Sequence, residues 1–164
     1  MNLIYNAEDS TIVRGCSDAD WANELEDRKS TTGFMFKIYG NTVVWCTCKQ
    51  TVVAQSSTEA EYVAVCSAAR EAMWLKKIIS DLMIKGATPI PIHEDNLSCI
   101  QVAKNPETKR SKHIDVKFHF IRECVWSKSI ELIPTSTKDQ IADCLTKPLP
   151  RVSFQKFREK MSLR

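Results

Sequence analysis

Four carboxylates stand out because each falls at the edge of a separate expected element. Asp18 follows the β-branched run Thr11-Ile12-Val13 and is expected at the end of a first strand, and Asp95 ends a short strand over Ile90–Glu94. Glu61 lies one turn inside a long helix, and Asp143 follows Ile141 and Ala142 at a helix start. Positions 61, 65, 68, 72, 75 and 79 form one helical stripe, so Glu61 continues an apolar face and should point at the sheet. Glu59 points elsewhere and suits the helix cap. A carboxylate aimed into a core is costly unless it is paired or bound to a metal. Gathered together, such groups raise one another's pKa values, and divalent cations relieve the repulsion. Carboxylate oxygens suit Mg²⁺, which keeps water in its shell and binds phosphate oxygens. Two such ions roughly 3.5–4 Å apart can activate a water and stabilise the leaving oxygen of a phosphodiester. Because Asp+Glu number 20, some must fall at strand ends, and spacing alone does not single these four out.

Bringing them together requires a sheet with helices packed on it. After the first strand, residues 23–30 are charged and read as a loop. Thr32–Tyr39 places Phe34, Phe36 and Ile38 at period two, the half-buried strand pattern. Gly40-Asn41 is expected to turn the chain, since positive φ is cheap for both residues, and Thr42–Cys48 returns as a strand rich in Val and Trp. Ser56-Ser57-Thr58-Glu59 fits a capping box, with Ser56 at the N-cap. The helix it opens meets no Gly or Pro until Gly86, and Gly86 and Pro89 close it. Then come a strand over Ile90–Glu94, a helix to about Ala103, a break at Asn105-Pro106 and a helix near Val116–Trp126. A strand near Ile130–Ile133 and helical segments at 138–146 and 151–161 follow. This order predicts a mixed sheet carrying helices. Pro91 speaks against a central place for its strand, because proline lacks a ladder donor. Trp45, Trp74 and Trp126 are assigned to the core, and Trp21 to an exposed stacking surface.

The same residues carry a family resemblance. Ser17-Asp18-Ala19-Asp20-Trp21-Ala22 and Asp27-Arg28-Lys29-Ser30-Thr31-Thr32-Gly33-Phe34 resemble the start of the ribonuclease H domain of copia-type LTR retrotransposon Pol polyproteins. Ser56-Ser57-Thr58-Glu59-Ala60-Glu61-Tyr62 is similar to that family's helix motif. Glu94-Asp95-Asn96, Lys112-His113-Ile114-Asp115 and His119-Phe120-Ile121-Arg122-Glu123 match its next blocks in order. Gln140-Ile141-Ala142-Asp143, with Thr146-Lys147-Pro148-Leu149, matches the last. The likeness runs over about residues 11–160. It implies an α/β ribonuclease H-like fold, a five-stranded mixed sheet of three antiparallel and then two parallel strands with helices on both faces. It also implies hydrolysis of the RNA strand of an RNA–DNA hybrid, leaving a 3′-hydroxyl and a 5′-phosphate, as template RNA is removed during reverse transcription. Asp18 would bridge two Mg²⁺ ions, with Mn²⁺ as a substitute, and Glu61, Asp95 and Asp143 would complete their shells. The family's catalytic position matches Asp18, the first Asp of its block, rather than Asp20.

Arg28, Lys29, Ser57, Asn96, Lys112 and His113 are the substrate-binding candidates under this resemblance. Solvation of a hairpin explains Arg28 and Lys29 equally well. The basic stretch with Lys112 could equally be a solvated loop, though the resemblance favours substrate contact there, and packing is the commoner role for His113. Residues 1–10 are expected to be a tail left from a connection to the reverse transcriptase region, the implied partner within the same polyprotein. Residues 11–147 would form the ribonuclease H-like domain and 148–164 a C-terminal helical extension. Two segments depart from the family pattern: Asn105–Lys112 is one residue short, and Pro134-Thr135-Ser136 has drifted.

Composition narrows the remaining classes. With 43% hydrophobic and 26% charged residues the chain reads as globular, and a net charge of +3 names no partner. No apolar run approaches the roughly 20 residues of a membrane span, and residues 1–10 lack a signal-peptide pattern. The 7 cysteines are odd in number and read as free thiols in a reducing compartment. Cys46 and Cys48 are not at zinc-site spacing. The expected location is the cytoplasm, in a virus-like particle for the parent element, or the nucleus. Two alternatives stand beside the nuclease: an inactive or host-adopted remnant that binds RNA or hybrid, and an interaction domain on the same fold. Retention of all four carboxylates favours the nuclease.

Overall fold

Alternating side chains build the first half of the molecule. The computed structural model describes residues 2–5, 9–24, 26–84, 88–105 and 115–163. Val13–Asp20 (β1), Thr31–Ile38 (β2) and Asn41–Lys49 (β3) form an antiparallel meander. Phe34 and Phe36 join the core on one face of β2 while Met35, between them, joins a second core on the other. The β2–β3 hairpin turns on Tyr39 and Gly40, at φ 47° and 77°, rather than on Gly40-Asn41. Asn41 already pairs with Ile38, and a two-residue turn of this hand needs positive φ at both central residues.

Helix α1 (Ser57–Asp81) begins on the expected Ser56 cap, with the return bond of the capping box shifted one residue towards the N-terminus. The Ser56 hydroxyl accepts from the Glu59 N–H at 3.2 Å, and Glu59 Oε2 accepts from the Gln55 N–H at 2.8 Å. The helix stops at Asp81, short of the expected Gly86, with Leu82 as its C-cap. Ile90–Glu94 (β4) and Ile130–Pro134 (β5) extend the sheet in parallel, giving the order β3-β2-β1-β4-β5. Leu97–Lys104 (α2) and Asp115–Trp126 (α3) lie between them. After β5 come a 3-10 turn over Thr137–Asp139, a short helix α4 (Asp143–Thr146) and α5 (Arg151–Lys160). The single helical segment expected over 138–146 is thus two pieces.

Helices α1, α2 and α3 cover one face, packing Val65, Ala68, Ala72 and Ile121 with Val13, Phe36, Ile90, Ile92 and Leu132. On the other face Ala142 and Met161 pack with Cys16 and Met35. The architecture is therefore the five-stranded mixed sheet with helices on both faces. Pro91 is tolerated in a central strand for a specific reason. Ile90 donates its N–H to Ser129 at 3.1 Å, on the β5 side, so alternation turns the Pro91 nitrogen towards β1. The β1 ladder starts only at Gly15↔Ile92, and the missing donor falls outside it.

The tryptophans correct the sequence reading. Trp45, Trp74 and Trp126 are 56%, 53% and 60% exposed and do not fill the core. Trp45 lies on the edge strand, Trp74 is off the stripe of α1 that meets the sheet, and Trp126 is the last residue of α3. All seven cysteines are free thiols. Among the described residues no helix is long and apolar enough to cross a membrane.

Candidate active site

The site opens where two neighbouring strands part. β1 and β4 pair only through Gly15↔Ile92 and Cys16↔His93, while β1 continues beside β2 as far as Asp20↔Thr31. Asp18 is therefore not at the end of its strand; it sits within the β2 ladder, opposite Gly33, just past the point where β4 has left. Gln140, fully buried, fills the gap. Its Nε2 donates to the carbonyls of Ser17 at 2.8 Å and His93 at 3.3 Å, which the broken ladder does not serve. Gaps at the carboxyl ends of parallel strands are where open α/β sheets receive ligands.

Asp18 and Glu61 are buried, Asp95 is half-buried, and each offers an oxygen within 4.8 Å of the other two. Asp143 is also buried but is not one of this trio. It joins Asp18 through Lys147, whose Nζ lies 3.1 Å from Asp143 Oδ1 and 4.0 Å from Asp18 Oδ2. The Thr146 hydroxyl donates to Asp18 Oδ2 as well. Helix α4 reaches this close because residue 33 has no side chain. A Cβ there would lie 2.6 Å from Thr146 Cγ2 and 2.9 Å from Leu145 Cβ.

Burial dominates the electrostatics. It lifts the Asp18 carboxyl to about 7, and the charges of Asp143 and Asp95 push the same way. The Thr146 hydroxyl and the Lys147 ammonium pull it back. Glu61 is raised much further, first by burial and then by Glu94, Asp18 and Asp95. Burial works against the charge of Lys147, but Asp18 and Asp143 more than offset it and its pKa stays raised. Among the described residues, one ammonium facing this many acids leaves the cluster short of positive charge, which is the condition a bound cation meets.

Comparison with known proteins settles the lineage. No family model matches the chain. It is 40% identical over 148 residues to the retrovirus-related Pol polyprotein from transposon RE2 of Arabidopsis thaliana, a match that covers 90% of this chain. The chain spans about a tenth of the length of that relative. Among solved structures, LC11-RNase H1, isolated from compost, superposes with a TM-score of 0.63 at 12% identity, covering 89% of this chain and 97% of that one. The structure of the same enzyme in complex with an RNA/DNA hybrid gives a TM-score of 0.60 at 12% identity, covering 82% and 93%. Over nine-tenths of its length the chain is homologous to a segment of the retrovirus-related Pol polyproteins, and its fold is that of the ribonuclease H structures.

Within this ribonuclease H fold several side chains hold the acids without being among them. Glu94 is fully buried; its Oε2 accepts from the Ser17 hydroxyl at 2.9 Å and its Oε1 from the Asn96 N–H at 3.0 Å. It thereby ties β1 to the end of β4 on either side of Asp18 and Asp95. Burial raises its pKa to about 8 against the pull of those two donors. Sequence reasoning passed over Glu94, Gln140, Thr146 and Lys147 as functional residues. The available signal was adjacency: Glu94 precedes Asp95, and Lys147 follows Asp143 by one helical turn.

The substrate-binding candidates are dispersed. Arg28 has φ 56°, and Lys29 pairs with Asp27 at 3.3 Å, in a loop where Lys49 also contacts Asp27 at 3.1 Å and Glu24 at 3.3 Å. Ser57 is the exposed first residue of α1. Asn96 caps α2, its Oδ1 accepting from the Cys99 N–H at 2.9 Å. Trp21 is exposed, with its Nε1 donating to the Ala54 carbonyl at 3.0 Å. Lys112 and His113 lie outside the described residues.

Proposed function

We propose that the chain hydrolyses the RNA strand of RNA–DNA hybrids, endonucleolytically and only with divalent cations bound. The observation that carries this reading is the convergence of Asp18, Glu61 and Asp95 at the gap between β1 and β4. The residues fit such ions. Glu61 Oε2 is buried with no hydrogen-bond partner, and the donors are all carboxylate oxygens, the set preferred by Mg²⁺ and Mn²⁺. Asp18, Glu61 and Asp95 would hold one ion, and Asp18 with Asp143 a second. When bound, the ions supply an activated water for attack on phosphorus and stabilise the leaving 3′-oxygen.

The protein's own groups do the positioning. Thr146 orients Asp18 through a hydrogen bond to Oδ2, and Gln140 keeps β1 and β4 at a fixed separation. Glu94, through Ser17 and the Asn96 N–H, fixes the backbone that carries Asp18 and Asp95. Without a cation, Glu61 retains a proton well above the ordinary carboxylate range, and that proton must leave when an ion binds. In the parent polyprotein the reverse transcriptase region would share the hybrid with this domain, in a cytoplasmic particle or in the nucleus.

A labelled RNA–DNA duplex incubated with the purified chain tests the proposal. RNA fragments ending in 3′-hydroxyls should form with Mg²⁺ or Mn²⁺ and not with chelator, and Asp18→Asn or Asp95→Asn should abolish them. An intact duplex after incubation of the wild-type chain with either metal would overturn the assignment.

A further inference from the structure

Lys147 holds a position that the metal chemistry does not explain. It follows α4 directly, four residues after Asp143, and its ammonium reaches both Asp143 Oδ1 (3.1 Å) and Asp18 Oδ2 (4.0 Å). These are the two carboxylates that would share the second cation, and the ammonium lies between them. Asp143 Oδ1 and Glu61 Oε2 are both buried without a hydrogen-bond partner, but Asp143 Oδ1 has the Lys147 ammonium beside it, and among the described residues Glu61 has no ammonium paired with it. Among the described residues the two halves of the site therefore differ in the free protein, one having an ammonium paired with it and the other none. Lys147 is also able to leave. Its side chain is 34% exposed, and a lysine stem is long and flexible enough to carry its ammonium into solvent.

We propose that the Lys147 ammonium stands in for the second cation in the free chain, so that one divalent ion loads at Asp18, Glu61 and Asp95 and the second enters only as Lys147 withdraws. This rests on the metal-dependent reading above. It makes Lys147 a positioning residue that sets the order of ion loading, acting through Asp18 and Asp143. An ammonium and a divalent ion cannot share the same two oxygens, so the pair is a competition in which the lysine has the advantage of being tethered.

Counting bound Mn²⁺ by calorimetry, and by the loss of its free spin signal, tests this on the full chain with no nucleic acid present. The wild-type chain should take up one Mn²⁺. Lys147→Met should take up two, and Lys147→Gln, a polar variant that guards against misfolding of the first, should do the same. Lys156→Met removes an exposed lysine paired with Asp139, and should leave the count at one, showing that lost charge alone does not create a site. Equal counts in the wild-type and Lys147 variants, whether one or two, would refute the stand-in role and leave the metal-dependent reading intact. No Mn²⁺ on any of them would bring down both.

Discussion

Helix α1 carries one stripe of side chains through two unlike environments. Near its start the stripe presents Glu61 to Asp18 and Asp95; about three to five turns on it presents Ala72, Leu75 and Ile79 to an apolar core. The geometry of the helix is the same at both ends and only the partners differ. The far end adds stability by removing apolar surface from water, at about 25 cal/mol per Å². The near end gathers buried acids whose charged forms are penalised, and so lowers the stability of the metal-free protein. A single element thus anchors the fold at one end and stores electrostatic repulsion at the other.

That contrast can be broken at either end. The largest effect should come from Asp18→Asn, which should reduce hybrid cleavage at least about a thousandfold, equivalent to about 4 kcal/mol of barrier. Glu61→Gln should abolish cleavage too, yet melt higher than the wild type without metal, because a neutral amide is spared the proton uptake on folding that burial forces on the Glu61 carboxylate. Thermal melts in chelator check this, and a lower melting temperature for Glu61→Gln would mean that the acids do not repel in the free chain. At the apolar end, Ile79→Ala should cost about 2–5 kcal/mol in urea unfolding while leaving the Mg²⁺ requirement of the remaining activity unchanged.

Acidity sharpens the comparison at smaller scale. Asp18 and Glu94 have folded values of about 7 and about 8, above their ordinary 3.8 and 4.5. Between the ordinary and the raised values the folded chain binds protons that the unfolded chain has lost. Stability is therefore full below about pH 4 for these groups and declines as pH rises towards 8. Melts of the metal-free protein should drop by several degrees over that interval, and added Mg²⁺ should restore more at pH 8 than at pH 5. The smallest expected effect belongs to Ser17→Ala, which removes one of the two hydrogen bonds of Glu94. It should cost about 1 kcal/mol in urea unfolding and lower the cleavage rate without changing the KM for hybrid.

Much of this plan was legible in the residue order. The stripe through Glu61 pointed it at the sheet, the Ser56–Glu59 cap set where α1 begins, and period two in Phe34-Phe36-Ile38 marked β2. Patterns of that kind are local, and local periodicity survives folding. The depth of Asp18 was not legible, because it depends on β4 leaving β1 while β2 stays. Gly33 looked like one more residue of a motif, although its missing Cβ is what admits Thr146 to Asp18. Trp45, Trp74 and Trp126 misled because size suggests a core, whereas exposure follows from sheet edge and helix face. Gln140 and Lys147 act on partners more than a hundred residues away, at Ser17 and Asp18, and no neighbour in the sequence announces that.

The hold that Gln140 has on Ser17 and His93 has a temporal consequence. Until the ribosome has passed residue 147, those carbonyls have only water to bond with, Asp18 lacks both Thr146 and Lys147, and the Cys16–Met35 face of the sheet has no cover. The acids from β1, α1 and β4 are translated early, but the parts that lock them in place arrive in the last stretch of the message. A copy interrupted by a stop codon before Gln140 would keep Asp18, Glu61 and Asp95 and lose their frame, leaving an inert chain with a sticky sheet for cellular proteases to clear.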